Sequence, residues 1–413
     1  MSEKKTVSRR NFLRNSSVAA AGVSLGMSRI GAPAFAQTRS ANEVINVGII
    51  GTGSRGNFLA DQTRKVDNIR ITDLCDIYPP HLDQAYERNG NKGRKHADYR
   101  KLLEQKEIDA IVVATPLVEH IPQSLASVQL GKDVFCEKSL AFTVKEANDI
   151  VEAVRYHNVK FMVGYSRWTS ATDEVKRMIQ EGAIGKPHHV FTHYHRNNTW
   201  VRPIEDPRWF RILNWRLYWE YCGGQMTELV SHQITRINYI LDSHPLSAVG
   251  TGAVDFYTQY DRETWDNVDV IFEYPNNIKI NSTSNFMNAK MGVSEEIQGT
   301  NGTIHSYGRR IKLYWEQETE HLATIGIKGA HAKVKLGETL NVDESPTGTP
   351  GKDVLVEGER RSLMAHFFDC MRNDKEPVIN VEEGRVATIS ALMANQAIRL
   401  GRKVTWDEML RTT

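Results

Sequence analysis

Cysteine is scarce in this chain and never clustered. Four occur in 413 residues, Cys75, Cys136, Cys222 and Cys370, with no C-x-x-C pair among them. That spacing removes a thiolate metal knuckle and a disulfide framework, and leaves buried thiols as the expectation. A bilayer-spanning apolar run is missing as well: the uncharged stretch Asn15 to Ser28 is short and rich in Ser, Ala and Gly. The body also lacks a positive excess. There are 52 basic and 50 acidic side chains; six basic ones (Lys4, Lys5, Arg9, Arg10, Arg14, Arg29) and the single acid Glu3 fall in the first 36 residues, so the remainder carries 46 against 49, net −3. A weakly acidic body has no basic face for phosphate backbones, which argues against nucleic acid as a partner. No internal repeat is present. What remains is ordinary globular composition, 40% hydrophobic and 25% charged, at a length that fits two to three domains.

The first 36 residues read as an address. Ser8-Arg9-Arg10-Asn11-Phe12-Leu13 precedes the mildly apolar stretch, and Ala34-Phe35-Ala36 supplies an A-x-A cleavage site before Gln37. Basic, apolar, then small is the secretory order, and the adjacent arginines with a weak core fit a twin-arginine signal. The alternative is a basic tail without fixed structure. The expectation is export of a folded, cofactor-loaded protein beginning near Gln37, periplasmic or secreted, with no stable membrane span.

Residues 44–165 read as a dinucleotide-binding domain. The β-branched run Val44 to Ile50 leads into Gly51-Thr52-Gly53-Ser54-Arg55-Gly56, and a helix-compatible stretch starts at Asn57. The first glycine permits a tight turn, the second lets backbone approach a pyrophosphate, and the third lets helix pack on strand. Ile69 to Leu74 is a second strand, and Asp76 lies 20 residues beyond Gly56. An acid there accepts from a ribose diol and repels a 2′-phosphate, which favours NAD over NADP. Taken alone the glycine pattern is equally an ordinary turn. The alternation continues with Ile108 to Ala114, a helix Glu119 to Leu130, a strand Asp133 to Cys136, a helix Val144 to His157 and a strand Lys160 to Tyr165. Strands alternating with helices predict a doubly wound parallel sheet, with ligands at the strand carboxyl ends, where Asp76, Thr115 and Lys138 fall.

Residues 166–413 read as a second domain. Alternating runs at His188 to His195, Ala248 to Tyr257, Val268 to Tyr274 and Ile278 to Ser284 predict an open, mostly antiparallel sheet in an α+β layer. Gln225 to Leu241 reads as a helix, placing Glu228 and His232 four apart on one face. Residues 200–221 hold Trp200, Trp209, Phe210, Trp215, Tyr218, Trp219 and Tyr221, with Arg208, Arg211 and Arg216 between them. Aromatic faces pack on sugar C–H faces and arginines bind hydroxyls or carboxylates; the same residues equally plug a domain junction or an interface. His193 and His195 share a strand face, but no third metal ligand is evident, so no metal is expected. Residues 316–358 read as an irregular surface excursion. Leu363 to Met371 and Glu383 to Leu400 read as terminal helices.

These pieces, in this order, resemble the Gfo/Idh/MocA oxidoreductases, the family of glucose-fructose oxidoreductase and inositol dehydrogenase. The matching residues are Gly51–Gly56, Asp76, Ala114-Thr115-Pro116 with His120, Glu137-Lys138-Ser139-Leu140-Ala141, Gly223-Gly224, Glu228, His232, Glu383-Gly384 and Gly401-Arg402, spanning roughly residues 44 to 406. The sequence departs from the family at three places. Ser139 stands where a proline usually follows the lysine. Glu228 stands where Asp is usual, and Thr235 where an Asp often follows the histidine. The resemblance implies NAD held by Gly51, Thr52, Gly53, Ser54, Arg55, Gly56, Asp76, Thr115, Pro116, His120, Glu137, Lys138 and Arg167. It implies catalysis by His232 as proton acceptor, Lys138 as alkoxide stabiliser and Glu228 as orienter or relay. From spacing alone, Glu228 and His232 are a solvated pair and Lys138 a surface lysine. The expected activity is hydride transfer between tightly held NAD and a sugar, polyol or sugar-derivative hydroxyl, by a homo-oligomer. The alternatives are an NAD-dependent glycoside hydrolase working by transient oxidation, elimination and re-reduction, and a non-catalytic sugar or NAD sensor.

Overall fold

Hydrophobic runs bounded by turn residues build the first layer. In the computed structural model, which describes residues 43–165, 170–307, 310–316, 349–355 and 362–411, the chain opens with β1 (Ile45–Ile50). The 1–36 segment and Arg167 lie outside the described residues. Helix α1 (Ser54–Thr63), β2 (Ile69–Cys75), α2 (Pro79–Arg88), β3 (Arg94–His96), α3 (Tyr99–Leu103), β4 (Ala110–Val113), α4 (His120–Gln129), β5 (Asp133–Cys136), α5 (Val144–His157) and β6 (Phe161–Val163) follow. The strands pair in parallel in the order β3-β2-β1-β4-β5-β6. Residues of β1 and β4 are buried on both faces, as a sheet covered by helices requires. Thr143 caps α5, its hydroxyl accepting from Glu146 N while the Glu146 carboxylate accepts from Thr143 N, a box readable in the sequence.

Helix α6 (Ser170–Gln180) leads to the second layer, which begins with β7 (Pro187–His195). A short helix α7 (Phe210–Leu213) and a π-helical turn at Met226–Val230 precede α8 (Ser231–Leu241). Then come β8 (Ser247–Ala253), β9 (Asn267–Glu273), β10 (Lys279–Asn285), β11 (Val293–Gly299), β12 (Gly302–Tyr307), β13 (Arg310–Trp315) and β14 (Thr349–Leu355). Together with β15 (Val404–Thr405) they form a nine-stranded sheet in the order β14-β13-β12-β11-β7-β10-β9-β8-β15. Only the β7–β10 pair is parallel. Alternation sorts its faces: Val190, Val268, Val270, Phe272 and Ile280 are buried against α6 and α8, while His189, Phe191, His193 and His195 line the other side.

Three expectations are corrected. Residues 349–355, read as irregular, pair with β13 as an edge strand. The run ending at Tyr257 stops at Ala253, because Asp266 draws the Asp255, Phe256 and Tyr257 amides into a loop. The helix α9 (Leu363–Arg372) returns to the first layer, where Met364, Phe367 and Phe368 share a core with Ile45, Val47, Ile49 and Phe135. The next segment joins the same layer: Val163 N donates to Ile379 O at 2.9 Å. Helix α10 (Val381–Leu400) then packs on α5 and on β8, touching both layers, and α11 (Trp406–Arg411) ends the described chain. Among the described residues no helix is long and apolar enough to cross a membrane.

Candidate active site

The glycine turn after β1 is shaped by close approach. Gly51 sits at φ +86°, and a Cβ on Gly56 would lie 1.9 Å from the Gly51 carbonyl oxygen. Only glycine fits there, and the result is a backbone cradle opening α1 with Thr52, Gly53, Ser54 and Arg55 at its lip. Asp76, one residue past β2, accepts from Thr52 N (2.8 Å), Thr52 Oγ1 (3.2 Å) and Tyr78 N (2.9 Å). The acid assigned to the ribose therefore also pins the glycine turn. Arg55 reaches across to β5, its Nε donating to Glu137 Oε1 at 2.7 Å.

Thr115 and Pro116 follow β4; the Thr115 hydroxyl donates to Gln123 Oε1 at 2.9 Å. His120 is buried and lies between two carbonyls, Nδ1 at 2.7 Å from Ser139 O and Nε2 at 3.0 Å from Thr115 O. Burial pushes its pKa down, opposed by both carbonyls and by Glu228 and Glu137. With both nitrogens turned to backbone, His120 braces the β4 and β5 turns against each other.

Lys138 follows β5 and reaches the second layer. Its Nζ donates to the Glu228 carbonyl at 2.7 Å and stands 3.6 Å from Glu228 Oε2. The same Oε2 lies 3.3 Å from Arg216 Nε. Glu228 is almost wholly buried, so its charge is compensated by an ammonium and a guanidinium at once. Ser139, in the place of the family's proline, donates its hydroxyl to Thr227 O at 2.8 Å, and the Lys138–Ser139 peptide is cis. Tyr165 OH donates to Ser139 Oγ at 3.4 Å, and the Tyr165 ring meets His232 edge-on with centroids 5.6 Å apart. Lys138, Glu228 and His232 thus belong to one connected cluster. Helix α10 anchors it from behind: Thr388 Oγ1 accepts from Leu140 N at 3.0 Å, and Asn395 Nδ2 donates to Gly223 O at 2.8 Å.

The helix expected over Gln225 to Leu241 contains the π-turn, so Glu228 lies within a widened turn and His232 just after it, instead of both standing on a plain α-helical face. The aromatic segment divides between its two readings. Tyr218 is buried, and Trp219 packs edge-on against Trp265. Trp209 lies 5.0 Å from Tyr78 beside the Asp76 turn, while Trp215 and Trp200 flank Arg216 at 4.0 and 5.7 Å. His193 and His195 both meet the Thr283 hydroxyl on the open sheet face. Arg216, named among the aromatic residues, and Ser139, named as a departure beside Lys138, join the cluster without having been given a role in it, and Tyr165 enters as a strand end with no such signal. A surface groove of about 470 Å³ lined by Arg64, Arg70 and Lys92 lies beside the start of β2, at the opposite end of the sheet.

Comparison with known proteins agrees with the two-layer fold. The profile of the GFO_IDH_MocA oxidoreductase family, NAD-binding Rossmann fold, matches residues 45–165. The profile of the GFO/IDH/MocA C-terminal domain matches residues 172–305. A myo-inositol 2-dehydrogenase of Thermotoga maritima is 22% identical over 373 residues, 89% of this chain and 100% of that one. A glycosyl hydrolase family 109 protein 1 of Shewanella sp. strain MR-4 is 26% identical over 200 residues, 46% of this chain and 43% of that one. The chain spans about half the length of several other curated relatives it matches. A levoglucosan dehydrogenase solved with NADH and levoglucosan superimposes with TM-score 0.69 at 17% identity, covering 88% of this chain and 99% of that one, a likeness of fold.

Proposed function

The chain belongs to the Gfo/Idh/MocA oxidoreductase family and carries its NAD-binding Rossmann domain, and on that premise we propose that it oxidises a CH–OH group of a sugar, polyol or sugar derivative. The observation that carries the reading is the cluster built across the two layers, with the Lys138 ammonium against Glu228 and the next residue, Ser139, linked through Tyr165 to His232. The residues fit the cofactor: Gly51 and Gly56 pack too closely on Ala114 and on each other to carry a side chain, which folds the turn at the start of α1 that would hold a pyrophosphate, and Asp76 stands at the β2 end for the ribose. NAD bound there supplies the hydride acceptor. His232 takes the hydroxyl proton at Nε2, since Nδ1 is enclosed by protein. Lys138 Nζ, held by the Glu228 carbonyl, presents its remaining donors to the developing alkoxide. Glu228 fixes Lys138 and Arg216, and His120 fixes the turn that bears Lys138.

The resemblance of residues 1–36 to a twin-arginine signal supports an exported enzyme that retains its cofactor and regenerates it in place, and the open face of the nine-stranded sheet, where Phe191, Ile271 and Val249 fall in one row, supports a homo-oligomer. The similarity to a family 109 glycosyl hydrolase favours one second reading, in which transient oxidation leads to glycoside cleavage. The experiment is a substrate screen on the purified protein with its nicotinamide absorbance followed. Reduction of the cofactor by unmodified sugars or polyols supports oxidation. Release of nitrophenol from nitrophenyl glycosides with no net reduction transfers the assignment to the second reading. Silence in both, with sugar binding kept, would leave a sensor.

A further inference from the structure

Positive charge is concentrated on the second-layer side of the cluster and is not answered by the protein. Arg216 spends Nε on Glu228, and its Nη1 and Nη2 have no hydrogen-bond partner among the described residues. Its guanidinium is held between the indoles of Trp215 and Trp200. Arg202 is exposed, and its guanidinium makes no ion pair among the described residues; its backbone is locked to Asn214, just before Arg216, by bonds of 2.7 and 3.2 Å. Arg262 is buried, lies 5.5 Å over the Phe286 ring that stacks on Trp200, donates Nη2 to Thr199 O at 2.6 Å and leaves Nη1 enclosed without a partner. Asp266 attracts Arg262 but its oxygens accept from the Asp255, Phe256 and Tyr257 amides instead. Glu228 answers both Lys138 and Arg216, Glu137 is taken by Arg55, and Asp266 is turned to backbone amides.

We propose that the molecule oxidised here carries a carboxylate, as in a uronic or aldonic acid, gripped by the Nη fork of Arg216 with Arg202 beside it. The proposal deepens the oxidoreductase reading and rests on it. Hydroxyls of a neutral sugar can occupy arginine donors but leave the excess charge standing. A carboxylate answers it and matches two parallel N–H donors in one plane. Clamping between indoles fixes the fork before the ligand arrives, so little side-chain entropy is lost on binding. The Glu228–Arg216 contact, 3.3 Å long, also sets the distance from the fork to the Lys138 ammonium, 3.6 Å on the other side of the same oxygen. An acid group and the reacting carbinol are thereby held within one small molecule.

The test uses the NAD-loaded full chain with D-glucuronate, D-galacturonate and D-gluconate against D-glucose, D-galactose and myo-inositol, with D-glucose 6-phosphate as a further anion. Calorimetric binding and initial rates are both recorded. At least one acid should exceed its neutral counterpart by about tenfold or more in kcat/KM, as a charged hydrogen-bonded pair allows. That preference should fall by about tenfold in Arg202→Gln and in Arg216→Gln, chiefly through KM, and weaken as salt is raised. A purely structural role would lower acid and neutral substrates together. Equal or better use of neutral sugars, an unchanged preference in both variants, or a preference for the phosphate overturns the proposal. If no sugar reduces the cofactor, yet glucuronate binds the wild type selectively and Arg202→Gln loses it, the oxidoreductase reading fails and the carboxylate site stands.

Discussion

Lys138 divides its three donors unequally: one is committed to the Glu228 carbonyl, one faces Glu228 Oε2, and the rest of its hydration has been stripped by a side chain only 10% exposed. An ammonium in that state stabilises negative charge more than one in bulk water does. Lys138→Ala and His232→Ala are therefore expected to keep NAD and lose about two to four orders of magnitude in kcat/KM. Nicotinamide absorbance of the purified variants checks retention, and near wild-type turnover by either would remove its catalytic role. Asp76 is a different kind of residue, because its carboxylate both offers an acceptor to the ribose and holds Thr52 N. Asp76→Ala should weaken NAD by about tenfold and shift preference toward NADP, since the acid no longer repels a 2′-phosphate; an unchanged NAD to NADP ratio in binding would contradict the ribose assignment. The spacing of Asp76 from Gly56 was readable because the dinucleotide turn fixes it. The Arg216–Glu228 pair was not, because nothing in sequence distance connects a residue of the aromatic segment to a helix twelve positions on.

The same limit governs the elements. Strands β5 and β6 and helix α5 follow from hydrophobic runs and a capping box, all local signals. The π-turn at Met226–Val230 has no compositional mark: its residues suit an α-helix, and only the packing of Thr227 O against the Ser139 and Ser231 hydroxyls displays it. Nor does the pattern of α8 reveal what its buried polar residues meet. Arg236 pairs with Glu295 of β11 at 2.9 Å and donates to Ser306 Oγ of β12 at 2.6 Å, while Gln233 Nε2 donates to Ser294 O at 3.0 Å. Both charged side chains are nearly inaccessible. Removing one strands the other, so Arg236→Met should cost about 3 to 5 kcal/mol in chemical denaturation, whereas Arg236→Met combined with Glu295→Met should recover most of it. Equal loss in the single and the double variant would show that the pair is not what ties α8 to the sheet.

Across the whole molecule, alternating strands and helices made the parallel sheet legible, and period-two runs made the second sheet legible. The return of α9 to the first layer was hidden, because an amphipathic stripe such as Met364, Phe367, Phe368 and Met371 records that a face is buried and not which sheet buries it. The chain therefore closes on itself, and conditions that loosen either layer should act on both. Acid is one such condition. Burial holds His120, His193 and His195 below the ordinary value of 6.5. Below that value an unfolded chain protonates these rings while the folded one resists, so the unfolded state binds more protons and stability falls as pH falls. Asp73 and Asp266 have pKa values lowered from 3.8, so their contribution is lost only at stronger acid. Glu383, raised by burial, opposes the trend from 4.5 upward. Urea midpoints at about pH 7.5 and about pH 5.5 should show a less stable protein at the lower value, with a slope of at most about 1.4 kcal/mol per pH unit for each proton withheld. Because His120 is the most enclosed of the three, His120→Gln should lower stability at neutral pH and flatten that slope. A slope that steepens in the variant would mean that its ring, bridging the Thr115 and Ser139 carbonyls, is a cation in the folded protein, and an unchanged slope that it titrates alike folded and unfolded.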